Sequence, residues 1–516
     1  TMHWSTDRRA FLRLSGAAFA AAATAPRFAW AAEAGTLRLR VTADFQVLDP
    51  FGIIGELDDI IPRMTQVTLL RISDMREGNA LSNYAAEVFE WRDPQTIAFT
   101  LREGLVWTGD FGPVTTADVK FSFERIKGSD SAWSYQFENM REVEIIDDRQ
   151  GLIHLTAPFA PFPVIALPYY GGHIVCQKAV EAVGGRYTTE IPAQCGPYLF
   201  DAWEQGQKVT LKANPAWTGD KQAWDTIEIY IVTDDQAAQL AYEADSFDYT
   251  RVAVSAAAAL REALPEGATL IEAQSTRYAW LTINMNAEPL KDPRVRQAIQ
   301  YAYDGESVLI GAYDELVPRS TGVVPPGPFS RASNLIATRD VEKAKALLAE
   351  AGAEGLTLNL VALTDGTSQA IAQIIQASLA EAGITVNIQP TEDAVYWSLG
   401  DKTAGDDYLS LELVLMNFAG GVDPTENLVW FRPDQIGIYN WSFFDSPEYE
   451  ELYQKSLLET DATARKTMFN RMEDLMEGSG GFIFICFEPF VALHDTNLKP
   501  VILADGHPDP VRFSLT

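Results

Sequence analysis

The tightest constraint on the fold comes from residues 341–388, where the apolar period switches from helical to alternating and back. Val341, Ala344, Leu347, Leu348 and Ala351 recur at helical spacing, and Gly352 supplies a stop. Leu356, Leu358 and Leu360 then alternate with Thr357, Asn359 and Val361 as a strand. Ile371, Ile374, Ile375 and Leu379 mark a second helix ending at Gly383, before a strand over 384–388. Two strands joined by a helix of this length predict a βαβ unit with a parallel pair, hence an α/β fold.

The same periodicities recur elsewhere. Ile97, Phe99 and Leu101 alternate as a half-buried strand, and Gly104 turns the chain. Thr115 or Thr116 then caps a helix carrying Val119, Phe123 and Ile126, with Asp118 in its first turn. Ser446-Pro447 opens a late helix as N-cap and first-turn proline. The run 482–487 reads as a buried strand that takes Cys486 into the core as an unreactive residue.

Asp7-Arg8-Arg9-Ala10-Phe11-Leu12-Arg13 looks like a twin-arginine export motif, and Ala29-Trp30-Ala31 offers a cleavage site after Ala31. The apolar stretch between them is too short to span a bilayer. The expected location is therefore the periplasm, without a lipid anchor. The chain carries 40 Lys plus Arg against 71 Asp plus Glu, a formal charge of -31. Removing residues 1–31 takes away four arginines and one aspartate, a net +3, which moves the charge to -34. A surface this acidic repels phosphate backbones, so nucleic acid is not an expected partner. In an oxidising compartment Cys176 and Cys195 are expected to pair as a disulfide.

Residues 81–126 contain, in order, LREGL, a turn, a proline, TTADV and FSFER. This combination resembles the large extracytoplasmic solute-binding proteins of the peptide and nickel import class, family 5 (cluster C), of ABC importers. Val47-Leu48-Asp49-Pro50, Cys195-Gly196-Pro197-Tyr198, 214–219, 284–304 and 339–352 match further elements of that family in the same order. The resemblance implies a two-lobed periplasmic-binding-protein-like fold of the class II type with an inserted subdomain. Lobe I would comprise 36–64, 173–273 and 485–516, the insertion 65–172, and lobe II 274–484. The implied role is that of a monomeric binding component that hands a peptide or peptide-like solute to an inner-membrane permease, with no cofactor. An oligosaccharide, opine or metal-chelate ligand is the alternative, and a secreted hydrolase is remote. No GxSxG, HExxH or GxxxxGK[ST] motif occurs, and the His173/Cys176 pair alone does not make a metal site.

On the resemblance, ligand contacts are expected at Asp44, Phe45, Gln46, Tyr278, Trp397, Asn417, Phe418, Gly420, Gly421, Asn440 and Trp441. Hinge residues are expected at Thr276, Arg277, Phe487 and Glu488. Trp280 and Trp430 are expected in the core. Peptide-binding relatives place an aspartate three residues before an acidic-Pro pair to clamp the ligand's ammonium. Here that position is Gly420, three before Asp423-Pro424. Either Asp44 or Glu488 would have to replace the clamp, and without one free peptides should stabilise the fold less than blocked ones.

Overall fold

The computed structural model describes residues 35–53 and 56–516, and the expected export motif and cleavage site lie outside them. A ten-stranded mixed sheet organises the molecule. Its strands run, edge to edge, Tyr198–Glu204, Lys208–Ala213, Thr226–Ile231, Thr36–Val41, Tyr249–Arg251, Phe482–Asp495, Ala268–Ile283, Leu413–Phe418, Thr357–Leu363 and Thr385–Thr391. The expected βαβ unit is present, with 357–363 and 385–391 in parallel register from Thr357 opposite Thr385 to Leu363 opposite Thr391, joined by the helix Gly366–Glu381.

Two parallel trios lie on either side of a central antiparallel pair. One trio is formed by 36–41 with 226–231 and 249–251, the other by 357–363 with 385–391 and 413–418. The central strands 268–283 and 482–495 are long enough to serve both halves. Arg251 pairs Ala492 at one end, while Tyr278 pairs both Phe418 and Phe487 at the other. Their ladder breaks between Gln274 and Tyr278, so Ser275, Thr276 and Arg277 leave the register opposite Glu488. The freed groups find other partners: the Thr276 N–H donates to the Ala504 carbonyl at 3.0 Å, and the Ser275 hydroxyl donates to the Glu488 carbonyl at 3.0 Å.

Alternation along these strands separates the cores. Ala279, Leu281 and Ile283 pack on one face with the helices Pro293–Ala302, Val341–Ala351 and 366–381. Tyr278 and Trp280 turn to the opposite face, against the helices Pro447–Leu458 and Ala462–Gly478. A third cluster holds the first trio together. A fourth fills a four-stranded antiparallel sheet, 86–93, 96–101, 150–155 and 140–145, against the helix Thr116–Ile126. Thr115 is the cap of that helix, in a reciprocal box with Asp118. Ser446 caps the late helix as expected, accepting the Tyr449 N–H at 3.2 Å.

The expected Cys176–Cys195 disulfide is corrected, because both are free thiols. Each is packed in the same apolar cluster, 3% and 2% exposed, where burial raises both thiols above the usual range and they act as small apolar groups.

Glu473 is wholly buried; it accepts the Val324 N–H at 2.8 Å and leaves Oε2 without a hydrogen bond. Burial pushes its carboxyl up to about 8 from an ordinary 4.5. A raised acid binds its proton more tightly in the folded state, so this contribution is fully present below about 4.5 and is lost as pH rises to about 8. Glu473→Gln should therefore flatten the decline of melting temperature across that window, as read by thermal denaturation in a buffer series. An unchanged profile would contradict this.

Candidate ligand-binding site

The topology itself locates the site. The trio ending at Arg251 runs parallel to 268–283 and the trio ending at Phe418 runs against it, so the carboxyl ends of the two trios face each other across the broken ladder. Crevices outside the carboxyl ends of parallel strands are where open α/β sheets bind ligands.

Arg277 and Glu488 form the floor. The Arg277 Nε donates to Glu488 Oε2 at 2.9 Å, and its Nη2 donates to Asn417 Oδ1 at 2.9 Å. Asn417 Nδ2 reaches Glu488 Oε1 at 3.5 Å and closes the triangle. Burial raises the Glu488 carboxyl, Arg277 lowers it, Asp365 raises it and Arg251 lowers it. Glu488 thus feels charges from both halves of the sheet.

One wall is aromatic. Phe418, at the end of its strand, stacks on Trp397 (5.9 Å between ring centroids) and meets Trp430 and Tyr439 edge-on at 6.2 and 5.7 Å. Trp280 and Tyr278 support it from the core. Tyr439 remains 39% exposed, and Trp397, Phe418 and Trp430 are half-buried. Such rings bind apolar side chains or sugar faces.

Beyond Phe418 the chain loops through Gly420 and Gly421 into the short helix Pro424–Leu428. A Cβ at 420 would collide with the Thr276 carbonyl oxygen and stand 2.9 Å from Asn427 Oδ1. No acid side chain fits there. Asp423 caps the helix and is paired by Arg465 through two hydrogen bonds of 2.9 Å, both partners being almost fully buried. Glu426 completes the capping box by accepting the Asp423 N–H at 3.3 Å.

The opposite wall comes from the four-stranded subdomain and the C-terminal segment. Trp133 stacks on Tyr170 at 3.9 Å, and Tyr170 stacks on Tyr169. The Arg63 guanidinium lies 5.8 Å from the Tyr169 ring centre and is paired with Asp59, whose other oxygen meets buried His173 at 2.6 Å. Burial first, then the charges of Asp505 and Glu426, drive the Tyr169 phenol well above its ordinary range against the opposing pull of Arg63. Tyr135 is 53% exposed, yet the surrounding protein and Glu426 push its phenol up to about 12. The Ala160 N–H donates to the Leu457 carbonyl at 2.7 Å, tying this wall to the aromatic side.

Of the residues expected at the ligand, Trp397, Asn417, Phe418, Gly420 and Gly421 are brought together here, with Arg277 and Glu488 at the crossing. Most of the others are spent elsewhere in the fold. Tyr278, Trp441 and Asn440 are 1%, 2% and 1% exposed, and the Asn440 amide is spent on the carbonyls of Phe431, Arg432 and Phe444. Phe45 is core, and Asp44 is occupied by Trp203 Nε1 at 2.9 Å and the Gly206 N–H at 2.6 Å. Gln46 is exposed, with its N–H on Asp58. Among the hinge residues, Thr276 and Phe487 are buried at the break itself. Trp280 is core as expected, whereas Trp430 reaches the wall. Sequence reasoning missed Tyr135, Tyr169, Tyr439, Arg63, Asp505 and Glu426. Only Glu426 carried a local signal, the Asp-Pro-Thr-Glu capping spacing.

Residues 82–432 match the family described as bacterial extracellular solute-binding proteins, family 5, middle. The chain is 24% identical to the probable D,D-dipeptide-binding periplasmic protein DdpA of Escherichia coli, over 86% of each sequence. It is 26% identical to the dipeptide-binding protein of the same organism, over 79% of this chain and 80% of that one. Its fold superposes on the ABC transporter substrate-binding protein CtaP of Listeria monocytogenes with a TM-score of 0.81 at 21% identity, covering 93% of this chain and 99% of the other.

Proposed function

The chain belongs to the bacterial extracellular solute-binding proteins, family 5, and we propose that it is the periplasmic binding component of an ATP-driven importer for a peptide or peptide-like solute. The solute enters between the facing carboxyl ends of the two strand trios, lies against the Phe418 and Trp397 wall, and passes unchanged to an inner-membrane permease. The protein works as a monomer exported by the twin-arginine route. The observation that carries this reading is the Arg277–Glu488–Asn417 triangle between the facing strand ends, with the aromatic wall beside it. The names of the relatives that bind dipeptides support the ligand class.

We assign lobe I to 36–64, 173–273 and 485–516, the insertion to 65–172 and lobe II to 274–484. The separation of the apolar clusters along these segments supports the division, although the insertion's cluster also draws on Phe51, Ile174 and Cys195. Closure pivots where the two long strands leave register, and ligand selects the closed state by touching both walls.

A thermal-shift screen of free and N-acetylated di- and tripeptides, oligosaccharides, opines and nickel–histidine tests the reading. A peptide at a hundredfold excess over its Kd should add about 2.7 kcal/mol of stability. Stabilisation by sugars or opines alone would overturn the ligand class. Phe418→Ala should weaken the best peptide by about 1 kcal/mol, because a stacking partner of Trp397 is lost from the wall. Calorimetric titration reads this directly.

A further inference from the structure

Building on the peptide-like reading of the crevice, we propose that Glu426 is the anchor for a cationic group of the solute, an ammonium or guanidinium that meets its carboxylate as the walls close.

Around the crevice, Glu488 is held by Arg277, Asp59 by Arg63 and His173, Asp505 by His507, and Asp423 by Arg465. Glu426 has no cationic partner among the described residues. Its carboxylate is held by the backbone N–H groups of Asp423 and Val422. It is half-buried in the short helix that follows the aromatic wall, beside Gly421, and its charge reaches the phenols of Tyr135 and Tyr169. The nearby cations cannot serve it, because Arg465 is committed to Asp423 and Arg63 to Asp59.

A half-buried carboxylate beside a second carboxylate, with no cation to balance it, is poorly placed to stay ionised while the site is empty. Burial and Asp423 hold it up to about 8, so at neutral pH it carries a proton. An arriving cation supplies the missing charge and displaces that proton to solvent. The exchange balances: one proton leaves the carboxyl and one cation pairs with the carboxylate. Gly420 leaves no room for an acid on the near side of the Asp423-Pro424 pair. Glu426, three residues beyond Asp423 in the helix that follows, supplies one instead. This reverses the expectation, drawn from Gly420 alone, that free-amine peptides bind weakly.

Glu426→Gln removes the charge but keeps an acceptor for the Asp423 N–H, since glutamine also completes a capping box. The experiment titrates wild-type protein and this variant with a free dipeptide series and the same series N-acetylated, by calorimetry at pH 6.5 in two buffers of different ionisation enthalpy. Expected is tenfold or tighter binding of free over acetylated peptides by the wild type, with up to one proton released per peptide bound. Glu426→Gln should lose that preference and the release while binding acetylated peptides as the wild type does. Equal free-peptide affinity in the two proteins, or no proton release in the wild type, overturns the proposal and leaves the peptide reading standing. If the wild type binds neither series, the peptide reading itself fails and the anchor with it. The wild-type proton release needs no variant, so the proposal remains testable even if Glu426→Gln folds poorly.

Discussion

Arg465→Ala should cost about 3–5 kcal/mol of unfolding free energy, the cost of leaving a buried charge without its partner. The side chains of Asp423 and Arg465 are 1% and 7% exposed, and each carboxylate oxygen takes one guanidinium N–H at 2.9 Å. The same carboxylate accepts the Thr425 N–H at 3.0 Å and the Thr425 hydroxyl at 2.6 Å, so it cannot swing away to water without undoing the helix cap. Arg465 also lies 5.0 and 5.5 Å from the ring centres of Phe469 and Phe329, so the alanine removes packing as well as charge. Urea denaturation measures the loss. A double change, Asp423→Asn with Arg465→Met, should recover a good part of it, because no bare charge is left inside. A single-variant loss under 1 kcal/mol would mean that the pair is not desolvated as described.

Gly420→Asp should not create an ammonium clamp; it should destabilise the protein by about 1–3 kcal/mol, as overpacking does, and weaken peptide binding. The clash is with the backbone carbonyl of Thr276, whose peptide plane is held by the Arg277 N–H donating to the Ser275 hydroxyl at 3.2 Å. The loop carrying Glu426 would have to lift off the crossing strands. Melting temperature and peptide affinity should fall together. A variant that binds free peptides more tightly at unchanged stability would show that position 420 has room after all.

Both predictions concern a loop whose sequence was readable but whose surroundings were not. Asp423-Pro424 was recognisable as an acidic-Pro pair and Gly420 as a departure, because these are local facts. That Gly420 abuts a carbonyl 144 positions earlier in the chain, and that Asp423 is paired with Arg465, depends on where remote segments pass. The aromatic residues make the same point. Trp397, Phe418 and Trp441 were equally plausible lining residues, yet Trp441 is sealed under the Gly400 turn with its Nε1 on the Ile438 carbonyl, while Phe418 lies at a strand end among the rings of Trp397 and Tyr439. The buried run at 482–487 was legible by its apolar continuity. Its extension to Asp495 past Pro489 was not, since that proline faces Gln274 where the ladder is already failing.

Taken alone, the amino-acid order determined what local spacing can encode: the periodic helices and strands, the cap at Ser446 and one at Thr115 or Thr116, the parallel unit in the second half, and the family. Periodicity is a property of neighbours in the chain, so it survives without a structure. Which rings stay wet, which thiols stay unpaired and which carboxylate lacks a cation were decided by the tertiary fold. Those are properties of neighbours in space, set when two long strands carry the chain twice between its halves and bring the charge of Glu426 within reach of Tyr135 and Tyr169.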